Sequence, residues 1–236
     1  MAAATLWSVG AAGAFAAEQQ GNVEGHVRLE GRVPATRPAS PVTVDVATCG
    51  ASVPDESVIV DPGGGVRNAV VLIAGESIEG AGTTEAVVDN LGCRFVPRVQ
   101  VVARGQRVRV QNTDPVLHNT RAVLVNGAET VLANLALSRA GQSLDLTRRL
   151  TGRLPPAGTA LVRLGCDVHP WMTGWLVVSD EPHAVTGPYG AFRITGVPAG
   201  EHRVSVWHER LGRAQGRVRV EPGGTARAEL SLSGVP

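Results

Sequence analysis

Apolar and polar residues alternate with a period of two along most of this chain, which is the pattern of half-buried strands. Residues 23–31 alternate in this way, and residues 42–46 do so again after a Pro/Ala/Arg/Ser connector over 34–41. Residues 57–60 and 68–73 are short apolar runs separated by the turn Pro62-Gly63-Gly64-Gly65. Strands are predicted over 85–89, 98–103 and 106–111, the last two joined as a hairpin through Arg104-Gly105. Residues 131–137 read as a short helix or an irregular loop. Residues 158–165 and 175–178 read as strands. From 185 to 232 four more strands follow (191–194, 202–208, 214–220 and 225–232), punctuated by Gly/Pro turns and with no helix pattern. The expected fold class is therefore all-β, and residues 83–180 are about the length of one small β-sandwich.

Composition narrows the class of function. The 236 residues carry a net charge of +1, and every basic residue is Arg, scattered along the chain. No basic cluster suits a nucleic acid. Residues 1–16 are small and apolar and end at Ala14-Phe15-Ala16, an A-x-A-like cleavage site. They read as a secretory signal peptide, although no positive charge precedes the apolar stretch, and they are too short to span a bilayer. With no other apolar segment of that length, the mature chain is expected to be exported, periplasmic or secreted, without a membrane span. No catalytic triad or phosphate-binding loop stands out, so an enzyme is not expected.

The chemistry concentrates in one place. Met172, the one methionine besides Met1, lies in Cys166-Asp167-Val168-His169-Pro170-Trp171-Met172. A second imidazole, His118, lies in the separate run Asn112-Thr113-Asp114-Pro115-Val116-Leu117-His118-Asn119. Taken singly, each is an ordinary core or turn residue. Together they supply a thiolate, two imidazoles and a weak thioether, the donor set of a copper ion cycling between Cu(I) and Cu(II). Zinc would accept the Cys and His donors but has little use for Met. Three cysteines are an odd number. If Cys166 is a ligand, Cys49 and Cys93 are the natural disulfide pair; a Cys93–Cys166 bridge would instead remove the thiolate.

The two runs resemble the cupredoxins, the blue copper family, and the short Cys-x2-His-x2-Met loop is most similar to that of amicyanin. The resemblance implies His118, Cys166 and His169 as trigonal copper ligands and Met172 as the axial one. It implies that Asn119 ties the two loops together with a backbone N–H directed at the sulfur. It also implies that His169, flanked by Pro170 and Trp171, faces solvent as the electron port in a docking patch for a redox protein partner. Residues 25–31 and 68–73, with 185–200 and 204–206, resemble the two halves of a carboxypeptidase-regulatory-like, or transthyretin-like, sandwich. The whole resembles exported bacterial proteins labelled as methylamine-utilisation proteins. The expected organisation is a signal peptide at 1–16, a transthyretin-like sandwich split over 22–82 and 181–236, and a cupredoxin domain at 83–180 inserted into it. The function implied is single-electron transfer at one copper ion. The alternatives are copper handling or delivery without electron transfer, and a binding module with a vestigial site. His208, between Trp207 and Glu209, is the one further histidine in company that invites a role.

Overall fold

A computed structural model describes residues 19–35, 37–77 and 82–234. The segment read as a signal peptide lies outside them. The chain begins with β1 (Gln20–Glu30), then β2 (Ser40–Pro41), a one-turn helix α1 (Val46–Cys49), β3 (Ser52–Val53) and β4 (Val70–Ala74). A run of nine strands follows: β5 (Ala86–Asn90), β6 (Phe95–Val96), β7 (Val99–Val102), β8 (Val108–Asn112), β9 (His118–Asn126), β10 (Ala128–Leu137), β11 (Ser143–Asp145), β12 (Ala160–Gly165) and β13 (Thr173–Val178), with a helical turn α2 (Thr147–Leu150) before β12. The chain closes with β14 (His183–Val185), β15 (Ala191–Pro198), β16 (Gly200–His208), β17 (Gly212–Val220) and β18 (Thr225–Ser233).

These strands make two sandwiches, so the protein is all-β. In the first, the sheet β10-β9-β12-β13-β7 faces the sheet β11-β8-β5-β6. Alternate residues of each strand point inward, among them Val88, Val110, Leu124, Val162, Leu164 and Leu176, and close one apolar core. In the second, β15-β1-β18 faces β14-β4-β16-β17 over Val23, Val71, Ile73, Ile194, Val204 and Leu230. Strand β4 lies between β14 and β16, and β1 lies between β15 and β18, so strands from before residue 83 and after residue 180 share both sheets. Gly25 permits the close approach of β1 to β18: a Cβ there would run into the Ala228 carbonyl. Between the sandwiches, Val70, Leu72 and Trp207 of the second pack on Val99, Val101 and Val177 of the first.

Four sequence expectations change. Residues 98–103 and 106–111 do not form a hairpin: β7 pairs in parallel with β13, whereas β8 pairs with β5 and β11 in the opposite sheet. The Arg104-Gly105 turn carries the chain across the sandwich, a step the local hairpin signal cannot distinguish from pairing. Residues 131–137 belong to β10, paired along β9, and their poor alternation reflects the register shift between Val131 and Ala133. Residues 42–46 are not a strand; they lead into α1. Finally, Val42, Cys49 and Val53 pack in the core of the first sandwich. The stretch 40–53, expected within the 22–82 part of the split sandwich, is therefore a flap on its neighbour.

Candidate metal centre

The two runs singled out in the sequence meet at one end of the first sandwich. His118 opens β9; Cys166 directly follows β12; His169 and Met172 sit on the turn before β13. Antiparallel pairing of β9 with β12, Arg121 opposite Gly165, brings the two strand ends together. Ligand atoms of His118, Cys166 and His169 all lie within 4.8 Å of one another. The two imidazole centroids are 4.6 Å apart. Cys166 Sγ is 3.6 Å from His169 Nδ1. Met172 is buried in the same apolar cluster as Cys166, and its N–H donates to the His169 carbonyl at 2.9 Å, which closes the turn.

Each ring is oriented through its far nitrogen. His118 Nε2 donates to Asp114 Oδ2 at 2.9 Å. The same carboxylate accepts the backbone N–H groups of Gly92 and Cys93, both at 2.8 Å, so the 112–119 run is clasped to the turn that carries Cys93. With Nε2 engaged, His118 Nδ1 holds the lone pair, and it is buried with no hydrogen-bond partner. Burial pushes the His118 imidazole below its ordinary value, with the neighbouring His169 adding to the shift; the hydrogen bond to Asp114 opposes it. A buried, neutral imidazole with an unused lone pair is costly unless something accepts that lone pair.

Asn119 spans the two loops. Its backbone N–H points at Cys166 Sγ at 3.5 Å. Its Oδ1 accepts from the Asp167 N–H at 2.7 Å and from the Cys166 thiol at 3.3 Å. Its Nδ2 donates to Asn134 and Asp167 side chains at 2.7 and 3.0 Å.

No protein-family model matches this chain, and no curated protein does. Among solved structures it resembles a purple cupredoxin, amicyanins and a copper-containing nitrite reductase. A purple cupredoxin from Nitrosopumilus maritimus is 24% identical over 40% of this chain and 99% of that one, with a TM-score of 0.31. Amicyanin from Paracoccus versutus is 17% identical over 46% of this chain and 97% of that one, at 0.32. A copper-containing nitrite reductase from Thermus scotoductus is 21% identical over 45% of this chain, at 0.30, and only 24% of the reductase is covered.

The cysteines divide as one of the two sequence readings had it. Cys49 and Cys93 form a disulfide, and Cys166 is unpaired and buried. The position of His169 corrects a second reading. Its ring is 0% exposed rather than facing solvent. Trp171 packs on it with centroids 5.2 Å apart, while Pro170 is exposed beside them. The 40–53 flap covers the other side, and Asp45 Oδ2 accepts from His169 Nε2 at 3.1 Å. Sequence reasoning missed Asp45 because 124 positions separate it from His169. The one available signal was Cys49 close behind it, since a disulfide to Cys93 carries this flap to the site.

His208 has a structural part. Its Nδ1 accepts from the N–H groups of Arg210 and Leu211, both at 3.2 Å, in a turn after β16.

Proposed function

We propose that this protein holds one copper ion between His118, Cys166 and His169, with Met172 as a weak axial donor, and passes single electrons. The observation that carries this reading is an orphaned, buried His118 Nδ1 on a ring whose ligand atoms lie, with those of the buried Cys166 thiol and the His169 imidazole, within 4.8 Å of one another. The donors suit copper better than zinc, because a buried thioether, Met172, lies on the same turn as His169. Bound there, copper would supply a one-electron Cu(II)/Cu(I) couple. The chain's own share is to keep the donors in place through the change of charge. Asp114 and Asp45 hold the two rings, Asn119 directs an N–H at the sulfur, and the Met172–His169 backbone bond fixes the turn.

The surrounding assignments belong to the same proposal. The first sandwich is a cupredoxin domain inserted into a carboxypeptidase-regulatory-like scaffold. The protein acts outside the cytoplasm with a redox protein as partner, and it is not an enzyme. An oxidising compartment agrees with the Cys49–Cys93 disulfide.

The test is to add Cu(II) to purified protein and record visible and EPR spectra beside Cys166→Ala. An intense thiolate-to-copper band that ascorbate bleaches and the variant lacks is the expected result. Absence of that band from wild-type protein with an accessible Cys166 thiol would overturn the reading.

A further inference from the structure

The ring that the cupredoxin resemblance puts nearest solvent is fully covered, and what covers it is held in place by several contacts. Asp45 occupies the left-handed region, at φ 52°. For a residue with a Cβ that conformation is uphill, and it persists only where the surroundings impose it. Here the Asp45 carbonyl accepts the N–H groups of Thr48 and Cys49, both at 2.9 Å, and so starts α1. The disulfide then pins the end of α1 to Cys93, whose own N–H is held by Asp114. The backbone of the flap is thereby tied to the carboxylate that orients His118, while its side chain Asp45 reaches His169. Both imidazoles end on a carboxylate through Nε2.

We propose that Asp45 is a positioning residue for the metal centre, and that the disulfide-locked flap exists to deliver it. This inference rests on the copper reading of the site. A carboxylate can only accept, so it fixes the proton on His169 Nε2 and leaves the Nδ1 lone pair facing Cys166. It also makes the ring a more basic donor, which favours the more highly charged Cu(II) state. Water, which can donate or accept, would impose no such tautomer. The ring is closed off from water under the flap, while the Asp45 side chain remains 36% exposed.

The test compares wild type with Asp45→Asn, which keeps an acceptor but drops the charge, and Asp45→Ala, which drops both. Long-range nitrogen–proton NMR on metal-free protein reads the His169 tautomer, and chelator competition reads copper affinity. Wild type is expected to show one tautomer protonated at Nε2, and Asp45→Asn, whose amide can also donate, and Asp45→Ala to show mixtures. Copper binding should weaken about tenfold to a hundredfold in Asp45→Ala, and the reduction potential should rise in both variants. Retention of a single Nε2-protonated tautomer in Asp45→Ala, or of wild-type potential in both variants, would overturn the proposal. Should Asp45→Ala fail to fold, the potential of Asp45→Asn decides it alone. Because the NMR measurement needs no metal, a wild-type protein that refuses copper but shows the expected tautomers defeats the copper reading and leaves the positioning role standing.

Discussion

The side chains of His118, Cys166 and His169 meet at the candidate site from two separate runs of the sequence, and the residues around them fix how they sit. Asn119 is the most heavily engaged of these. Removing its side chain takes the acceptor from the Asp167 N–H and the buried Cys166 thiol, so Asn119→Ala should cost about 1–3 kcal/mol in urea unfolding and broaden the copper absorption band. Met172→Leu should leave copper bound but raise its potential, because a weak electron donor to Cu(II) is withdrawn; film voltammetry reads this, and an unchanged potential would remove Met172 from the ligand set. His208 makes a prediction about acid. Burial, with Arg98 and Arg210 adding, holds its imidazole down at about 4 from 6.5. The unfolded chain therefore binds a proton there that the folded one refuses. Stability is full above about pH 6.5 and drains away as pH falls toward 4, by about 3 kcal/mol. Protonation would also end the two bonds His208 Nδ1 accepts. Unfolding midpoints at pH 7 and 4.5 should differ less in His208→Gln than in wild type. At this scale the sequence was readable where donors cluster locally, as in 166–172, and silent on Asp45, whose partner is brought to it only by the folded chain.

Single elements were legible where one strand buries one face. The period-two runs of β1, β8, β12 and β16 are all present, as is β4, an apolar run buried on both faces. The misreadings have a shared cause: pairing is a decision between strands. β7 and β8 look like a hairpin in sequence, yet each finds a better apolar surface in a different sheet. Residues 42–46 of the flap looked like a strand because apolar positions alternate there, but of these only Val42 is buried, while Val44 and Val46 are exposed. The disulfide compensates for that small buried surface. Closing a loop of 44 positions by a cross-link stabilises by about 4 kcal/mol in the chain-entropy view. The Cys49→Ser, Cys93→Ser double variant should lose roughly that amount, and the amides of α1 should exchange rapidly with solvent. Slow exchange there in the double variant would mean that the flap holds itself.

Across the whole molecule, the two sandwiches are joined by more than connecting chain. Trp175 and Trp207 meet edge to face, with centroids 5.2 Å apart, over the apolar seam. Beside them Arg98 makes a paired hydrogen bond to Glu209 at 2.8 and 3.0 Å and a third to the Thr173 carbonyl at 3.1 Å. The Arg98 and Glu209 side chains are only 13% and 8% exposed. Glu209→Gln leaves a nearly buried guanidinium without its counter-charge, at a cost of about 3–5 kcal/mol. Calorimetry should then resolve two transitions where wild type gives one; a single unshifted transition would show the sandwiches to be coupled by apolar contact alone. No helix among the described residues is long and apolar enough to cross a membrane.

The parallel pairing of β1 with β18, in register from Asn22–Thr225 to Glu30–Ser233, has a mechanical meaning. Traction applied at the two ends of the described chain would drag these neighbours in opposite directions along their length. The rungs between them would be loaded together, in shear, instead of being unzipped one after another. Everything from β2 to β17, the metal centre included, hangs as a slack loop between the two tensioned strands. A protein tethered at both ends could be pulled without the geometry around Cys166 bearing any of the load until that clasp fails.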